Sequence, residues 1–285
     1  MGDLHGRVAS CRDTGAFRVT FGRYAPAMRI ARHDHEMASL CVALSGGYTE
    51  QLDYRAREVE TGTLVVHPQG EAHTNHHGAK VTGLLTIEFS RESLELARNL
   101  SPLFDESWDR AAAFLLPSVY RIFDEMDHGL PSANVGIDDL IWQMIAGIID
   151  YRHVNVDRPA WLVALRDYLE SHFDAAPSIV ALAEMAGVHP VHLGRAFRQT
   201  FGCGVGDFVW QRRIAAALKL LTDSNLGLGE ISSVTGFADQ SHMTRRISAM
   251  TGRPPGAWRR LHVDQRAGTN DDVGSVQDAQ PSSCP

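Results

Sequence analysis

The residues best suited to do chemistry fall into two groups, one built on arginines and one on histidines. His192-Leu193-Gly194-Arg195 recurs about fifty residues later as His242-Met243-Thr244-Arg245. On a helix whose inner face is Leu193, Ala196 and Phe197, the residues Val191, Gly194, Arg195 and Arg198 point to solvent. In the second copy Met243 and Ile247 face inward, leaving Gln240, Ser241, Thr244 and Arg245 outside. An exposed arginine can pair with guanine O6 and N7, and glutamine with adenine, so the chemistry indicated is base reading. The other group is His33-Asp34-His35 with His73, where H-x-H spacing on a strand puts two imidazoles on one face. Such nitrogens can ligate a divalent metal.

Each arginine copy needs a short helix, a turn and a second helix to present it. Ser178 is an N-cap candidate, Ile179, Leu182, Ala183 and Ala186 keep helical spacing, and Gly187 supplies the positive φ that ends the helix. Pro190 then opens the next helix without losing a bond. Ala183-Glu184-Met185-Ala186-Gly187-Val188 is answered by Ser232-Ser233-Val234-Thr235-Gly236-Phe237, with one extra residue before the second histidine. Asp239 caps that later helix. Two ordinary helical hairpins would show the same apolar spacing, but packing alone gives no reason to repeat the solvent-facing arginine. The spacing therefore predicts two helix-turn-helix units. Between them, Asp207 to Thr222 reads as one helix about 24 Å long. That rod could set two recognition helices about one DNA turn apart, in two successive major grooves.

The bulk composition agrees with a folded chain of two domains. It has 285 residues, 44% apolar and 21% charged, which excludes disordered, collagenous and membrane classes. No cationic start with an apolar block opens it, and its longest apolar run is too short to span a bilayer, so a cytoplasmic protein is expected. Cys11, Cys41, Cys203 and Cys284 form no C-x-x-C pair, which suits a reduced compartment and neither a disulfide framework nor a structural zinc. The net charge of −7 is uneven: residues 1–157 carry −8, residues 158–262 carry +4, and residues 263–285 carry −3. A basic segment inside an acidic chain fits a polyanion partner. The last 23 residues hold almost no large apolar side chains and read as a disordered tail.

Residues 160–262 resemble the DNA-binding domain of the AraC/XylS family of bacterial transcription regulators. The resemblance rests on Leu182-Ala183 with Gly187, His192-Leu193-x-Arg195-x-Phe197, Phe201-Gly202, and Arg213-Ile214-x-x-Ala217-x-x-Leu220-Leu221. It continues through Glu230-Ile231, Gly236-Phe237, Asp239-Gln240-Ser241-His242-Met243-x-Arg245, and Gly252-x-Pro254-Pro255-x-x-Trp258-Arg259. It implies seven helices, base contacts from the outward positions of both recognition helices, and RNA polymerase as a further partner. The chain departs from the family at Val205, usually proline, at Met243 and Ile247, usually aromatic, and at Gly227, usually a capping Ser or Thr. Gly229, Ser232, Ser233 and Thr235 are also poor helix formers, so the second unit is expected to be softer than the first. Gly194 carries no side chain, which puts the weight of discrimination on Arg195 and Gln240.

The N-terminal half reads as an all-β barrel, with short runs at Phe17–Phe21, Met28–Ala31, Ser39–Ser45, Tyr48–Tyr54, Thr63–Pro68 and Lys80–Phe89. His33-Asp34-His35 before Gly46-Gly47, and Gly62, Pro68, Gly70, His73 and Asn75 after it, resemble the two motifs of the cupin barrel. In this regulator family that barrel is the effector domain. Cupin enzymes add a glutamate to the first motif. Here its position, near Ser39 or Leu40, is not acidic. A three-histidine metal site of His33, His35 and His73 is one reading, and a metal-free effector pocket is the other. His67, His76 and His77 lie nearby in sequence. Residues 90–157 turn helical: Ser90 caps Arg91 to Leu100, Pro117 opens a helix to Met126, and Ile137 to Tyr151 carries an apolar stripe. That stripe serves either a homodimer, as the resemblance implies, or packing within the chain.

The domain order expected is a cupin-like effector barrel at 15–90, a helical dimerisation and linker segment at 91–157, an AraC-type DNA-binding domain at 158–262, and a tail at 263–285. The function expected is a sequence-specific transcription regulator, not an enzyme, with double-stranded DNA and a small-molecule effector as partners. The alternatives are a cupin-type metal-dependent enzyme with a helical appendage, and a binding module that does not touch DNA.

Overall fold

A computed structural model describes residues 7–111, 115–128, 133–153 and 159–260. The expected tail at 263–285 and most of the linker at 155–159 lie outside these. Among the described residues nine strands come first, β1 (Arg7–Asp13), β2 (Phe17–Tyr24), β3 (Arg29–His33), β4 (Ser39–Ser45), β5 (Gly47–Leu52), β6 (Ala56–Glu60), β7 (Thr63–His67), β8 (His73–His77) and β9 (Thr82–Phe89), and a tenth, β10 (Trp108–Ala111), follows the first helix. They form two antiparallel sheets, one ordered β1-β2-β9-β4-β7-β10 and the other β3-β8-β5-β6. Tyr24, Cys41, Ala43, Val65 and Leu84 of the larger sheet pack against Ile30, Tyr48 and Val59 of the smaller. The other face of the larger sheet carries Phe17, Val19, Phe21, Leu40, Val42, Leu85 and Ile87, buried under helices. Both faces of β4 are thus covered, which is why it reads as a continuous apolar run.

The covering helices are α1 (Arg91–Leu100), α2 (Leu116–His128) and α3 (Ala133–His153). Ser90 caps α1 by accepting the Ser93 amide, as expected. Phe123 of α2 meets Phe21 edge-on at 4.9 Å, and Trp142 of α3 meets Phe17 at 5.5 Å. The stripe of α3, with Ile137, Leu140, Ile141, Met144, Ile145 and Ile148, is buried inside the chain. Of the two uses open to that stripe, packing within the chain is the one observed. Cys41 and Cys203 are free thiols. Cys11 is disulfide-bonded, which departs from the expectation of fully reduced cysteines. Among the described residues no helix is long and apolar enough to cross a membrane.

The C-terminal part is helical: α4 (Ala160–Ser171), α5 (Ile179–Ala186), α6 (Pro190–Phe201), α7 (Val205–Asp223), α8 (Leu228–Val234), α9 (Gln240–Thr251), and a last helical stretch at 255–260. Two cores hold it. Leu162, Leu165, Leu169, Leu182, Leu193, Phe197 and Phe208 make one around α4 to α6 and the start of α7. Ile214, Leu218, Leu221, Ile231, Phe237, Met243, Ile247 and Trp258 belong to the same cluster as the outer face of the barrel. The end of α7 also touches barrel turns: Thr61 Oγ1 lies 3.2 Å from Asp223 Oδ1, and Lys80 Nζ donates to the Asp223 carbonyl at 3.1 Å.

The duplicated turn has one geometry in both copies. The Val188 amide donates to the Ala183 carbonyl at 3.0 Å, and the Phe237 amide to the Ser232 carbonyl at 2.9 Å. Between them Gly187 and Gly236 take φ of 66° and 77°. Their surroundings differ. A Cβ on Gly187 would meet nothing within 4 Å, whereas one on Gly236 would lie 2.2 Å from the Asp174 carbonyl oxygen. Gly187→Ala is therefore expected to cost about 1 kcal/mol, and Gly236→Ala about 2–3 kcal/mol, by chemical denaturation. Equal losses at the two sites would refute the difference in packing.

Candidate functional site

The first recognition helix, α6, starts as expected: His189 Nδ1 accepts the Val191 amide at 3.2 Å and Pro190 takes the first position. Leu193 and Phe197 are fully buried, while Val191, Arg195 and Arg198 are exposed and Gly194 is half-buried. The second, α9, starts at Asp239, which accepts the His242 amide at 2.6 Å. Met243 and Ile247 are buried where the family has aromatics, Gln240, Ser241 and Arg245 are exposed, and Thr244 is half-buried. The helix before it, α8, is held without a side-chain cap, since the Glu230 carboxylate accepts the Gly227 amide at 2.6 Å. Ser232 and Thr235 turn their hydroxyls back onto the carbonyls of Gly229 and Ile231. Trp210 of α7 takes guanidinium groups from Arg213 and Arg246, each 4.9 Å from its ring, and so ties α7 to α9.

A family model for a helix-turn-helix domain matches residues 182–261. Residues 182–261 are a helix-turn-helix domain. The chain is 33% identical over 106 residues to the transcriptional regulator GlxA of Rhizobium meliloti, covering 37% of this chain and 32% of that one. Over 252 residues, 81% of this chain and 88% of the relative, the chain is 23% identical to the transcriptional activator RhaR of Escherichia coli. It spans only 15–48% of the length of the first curated relatives it matches. Among solved structures it is similar to the AdpA DNA-binding domain in complex with a target DNA (TM-score 0.36, 21% identity, 37% of this chain and 96% of that one). It is also similar to an apo form of ToxT from Vibrio cholerae (TM-score 0.40, 8% identity, 86% and 97%).

The barrel brings the three sequence-selected histidines together. His33 and His73 are register partners across β3 and β8, their rings 4.3 Å apart, and His35 lies 5.3 Å from His73. Two further residues join them that the motif reading did not select. Glu50 is fully buried on β5, and its Oε1 accepts from His67 Nε2 at 2.8 Å and lies 3.7 Å from His73 Nε2. Its other oxygen pairs with the buried Arg57 guanidinium. The Asn75 amide also donates to Glu50 Oε1, at 3.3 Å. The ligand atoms of His33, His35 and His73 lie within 4.8 Å of one another, and so do those of Glu50, His67 and His73. The signal for Glu50 was its place between Tyr48 and Leu52, where the alternation of β5 turns all three inward.

Charge in this cluster is divided between partners. Burial works to raise Glu50, but His67, Arg57 and His73 hold it down at about 2. Burial works against His67 as a cation, and Glu50 overrides it, raising the imidazole to about 10. Burial and the His67 charge push His35 down to about 4 and His73 down to about 3. One imidazole is therefore charged at neutral pH and these two are bare.

Proposed function

We propose that the chain is a sequence-specific DNA-binding transcription regulator whose barrel binds a small-molecule effector. The observation that carries this reading is the doubled helix-turn-helix with both outward faces exposed. Val191, Gly194, Arg195, Arg198, Gln240, Ser241, Thr244 and Arg245 form the base-reading surface, entering two successive major grooves of double-stranded DNA. Residues 158–262 are the reading domain, residues 15–90 the cupin-like barrel with strands added on either side, and residues 91–157 the helical connection. The histidine end of the barrel, at His33, His35 and His73, is where the effector or a divalent ion sits. The protein acts in the cytoplasm with RNA polymerase as a further partner, and as a homodimer through a surface other than the α3 stripe.

Effector binding acts by differing in affinity between two arrangements of barrel and reading domain. Fluorescence anisotropy with a promoter fragment from a random-pool selection tests the DNA reading. Arg195→Ala and Arg245→Ala are each expected to weaken specific binding by about 1–3 kcal/mol, with a steep fall in affinity as salt rises. Two variants that bind the fragment as the parent does would end the proposal.

A further inference from the structure

The two recognition helices share their arginines but differ at the positions around them. With His192 set against His242, Arg195 answers Arg245, Val191 answers Ser241 and Gly194 answers Thr244. The second face carries hydroxyls where the first is apolar or bare. We propose that Val191, Gly194 and Ile179 form a socket for the C5-methyl group of one thymine in the major groove, beside the guanine that Arg195 takes. This rests on the DNA-reading function above and names the base chemistry of its first half-site.

The socket has a floor and two walls. Gly194 lies inside α6 with an ordinary negative φ, so no left-handed turn calls for glycine there. A Cβ at that position would meet Ile179 Cδ1 at 3.7 Å, an ordinary van der Waals contact. Alanine therefore fits, and it is the better helix former. Folding does not need this glycine. What its bare Cα leaves is a methyl-sized recess on the outward face of a recognition helix.

Val191 precedes Gly194 by three residues and so stands on the same face of the helix; it is 56% exposed. Ile179, the first residue of α5, closes the other side and is 44% exposed. Its counterpart in the second copy, Leu228, instead packs against the large apolar cluster. Two β-branched side chains are thus left in water around a gap, on a face that otherwise carries Arg195 and Arg198. Such a face matches a partner that is anionic overall and apolar at one point. Among the four bases, thymine is the one that sets an apolar group at the major-groove edge.

The test uses the full chain and a duplex selected from a random pool, with each thymine replaced in turn by uracil. That exchange removes the methyl group and leaves base pairing intact. Fluorescence anisotropy should find one position at which uracil weakens binding about fourfold, the effect of burying one methyl group. Val191→Ala and Ile179→Ala should each bring that ratio below about twofold. Gly194→Ala fills the recess, so it should abolish the ratio while raising the midpoint of thermal unfolding by about 2–4 °C. Met185→Ala, exposed at the far end of α5, should leave the ratio unchanged. Uracil tolerated at every position, or a methyl effect that survives in Val191→Ala and Gly194→Ala, overturns the socket. A Gly194→Ala chain less stable than the parent also overturns it, since the glycine would then serve the fold. Specific binding without a methyl effect sinks only this inference, whereas no preference for the selected duplex over a random one sinks the regulator reading.

Discussion

Trp258→Ala is expected to cost about 3–5 kcal/mol of stability, measured by denaturant unfolding. The indole is 1% exposed and sits edge-on to Tyr120 at 4.6 Å, with Phe123 at 5.9 Å, both on α2. Its Nε1 donates to Thr251 Oγ1 at 2.8 Å, so truncation empties a large volume and removes a buried hydrogen bond together. Beside it the Arg253 guanidinium pairs with Asp124 of α2. The loss should therefore spread in both directions, exposing amides of α9 and of α2 to hydrogen exchange. Trp258→Phe keeps most of the apolar contact and should recover at least half of the loss. An alanine variant within about 1 kcal/mol of the parent would contradict the packing described.

Acid should weaken the barrel well above the range in which carboxylates titrate. Burial pushes His35 and His77 down to about 4 and His73 down to about 3, against 6.5 in the unfolded chain. An imidazole kept neutral by folding lets the unfolded chain bind the extra proton. Its stabilising effect is thus whole above pH 6.5 and fades as pH falls toward 4. Each contributes about 2 kcal/mol across that window, and with His35 partly exposed and the rings interacting the total should be about 3–5 kcal/mol. His67 works in the opposite sense. Raised to about 10 by Glu50, it favours the fold fully below pH 6.5 and loses that effect as pH climbs to 10. Stability of the chelator-treated chain should consequently peak near pH 6.5. His77 stacks on Tyr24 at 4.5 Å, and neither of its ring nitrogens has a hydrogen-bond partner among the described residues. His77→Phe should keep the stack and flatten the acid limb by about 2 kcal/mol. An unchanged acid limb in that variant would assign the loss to other groups.

The C-terminal half was legible because its signals are local and doubled. A glycine ending one helix, a cap opening the next and an apolar pair inside it can all be read without knowing what they pack against. The strands were legible where hydropathy alternates or, as in β4 and β7, where apolar residues run on without a break. β6 and β8 went unread for one shared reason: their inward positions carry Arg57 on one, and His73, Asn75 and His77 on the other. These side chains break the apolar alternation that marks a strand, and most of them belong to the polar cluster itself. β10 is four residues long, too short for a pattern. Glu50 was hidden differently, since only the pairing of β5 with β8, which sets it opposite Asn75, shows that it meets the histidines.

The split of the reading half between two apolar clusters has a practical consequence. Cutting the chain near residue 158, where the sequence invites a division, would leave the first helix-turn-helix with its interior complete. The same cut would strip the second of Tyr120 and Phe123, against which Trp258 closes. Such an excised fragment would present one firm reader and one frayed one. Its footprint would describe half an operator, and the scissors, not the protein, would have chosen which half.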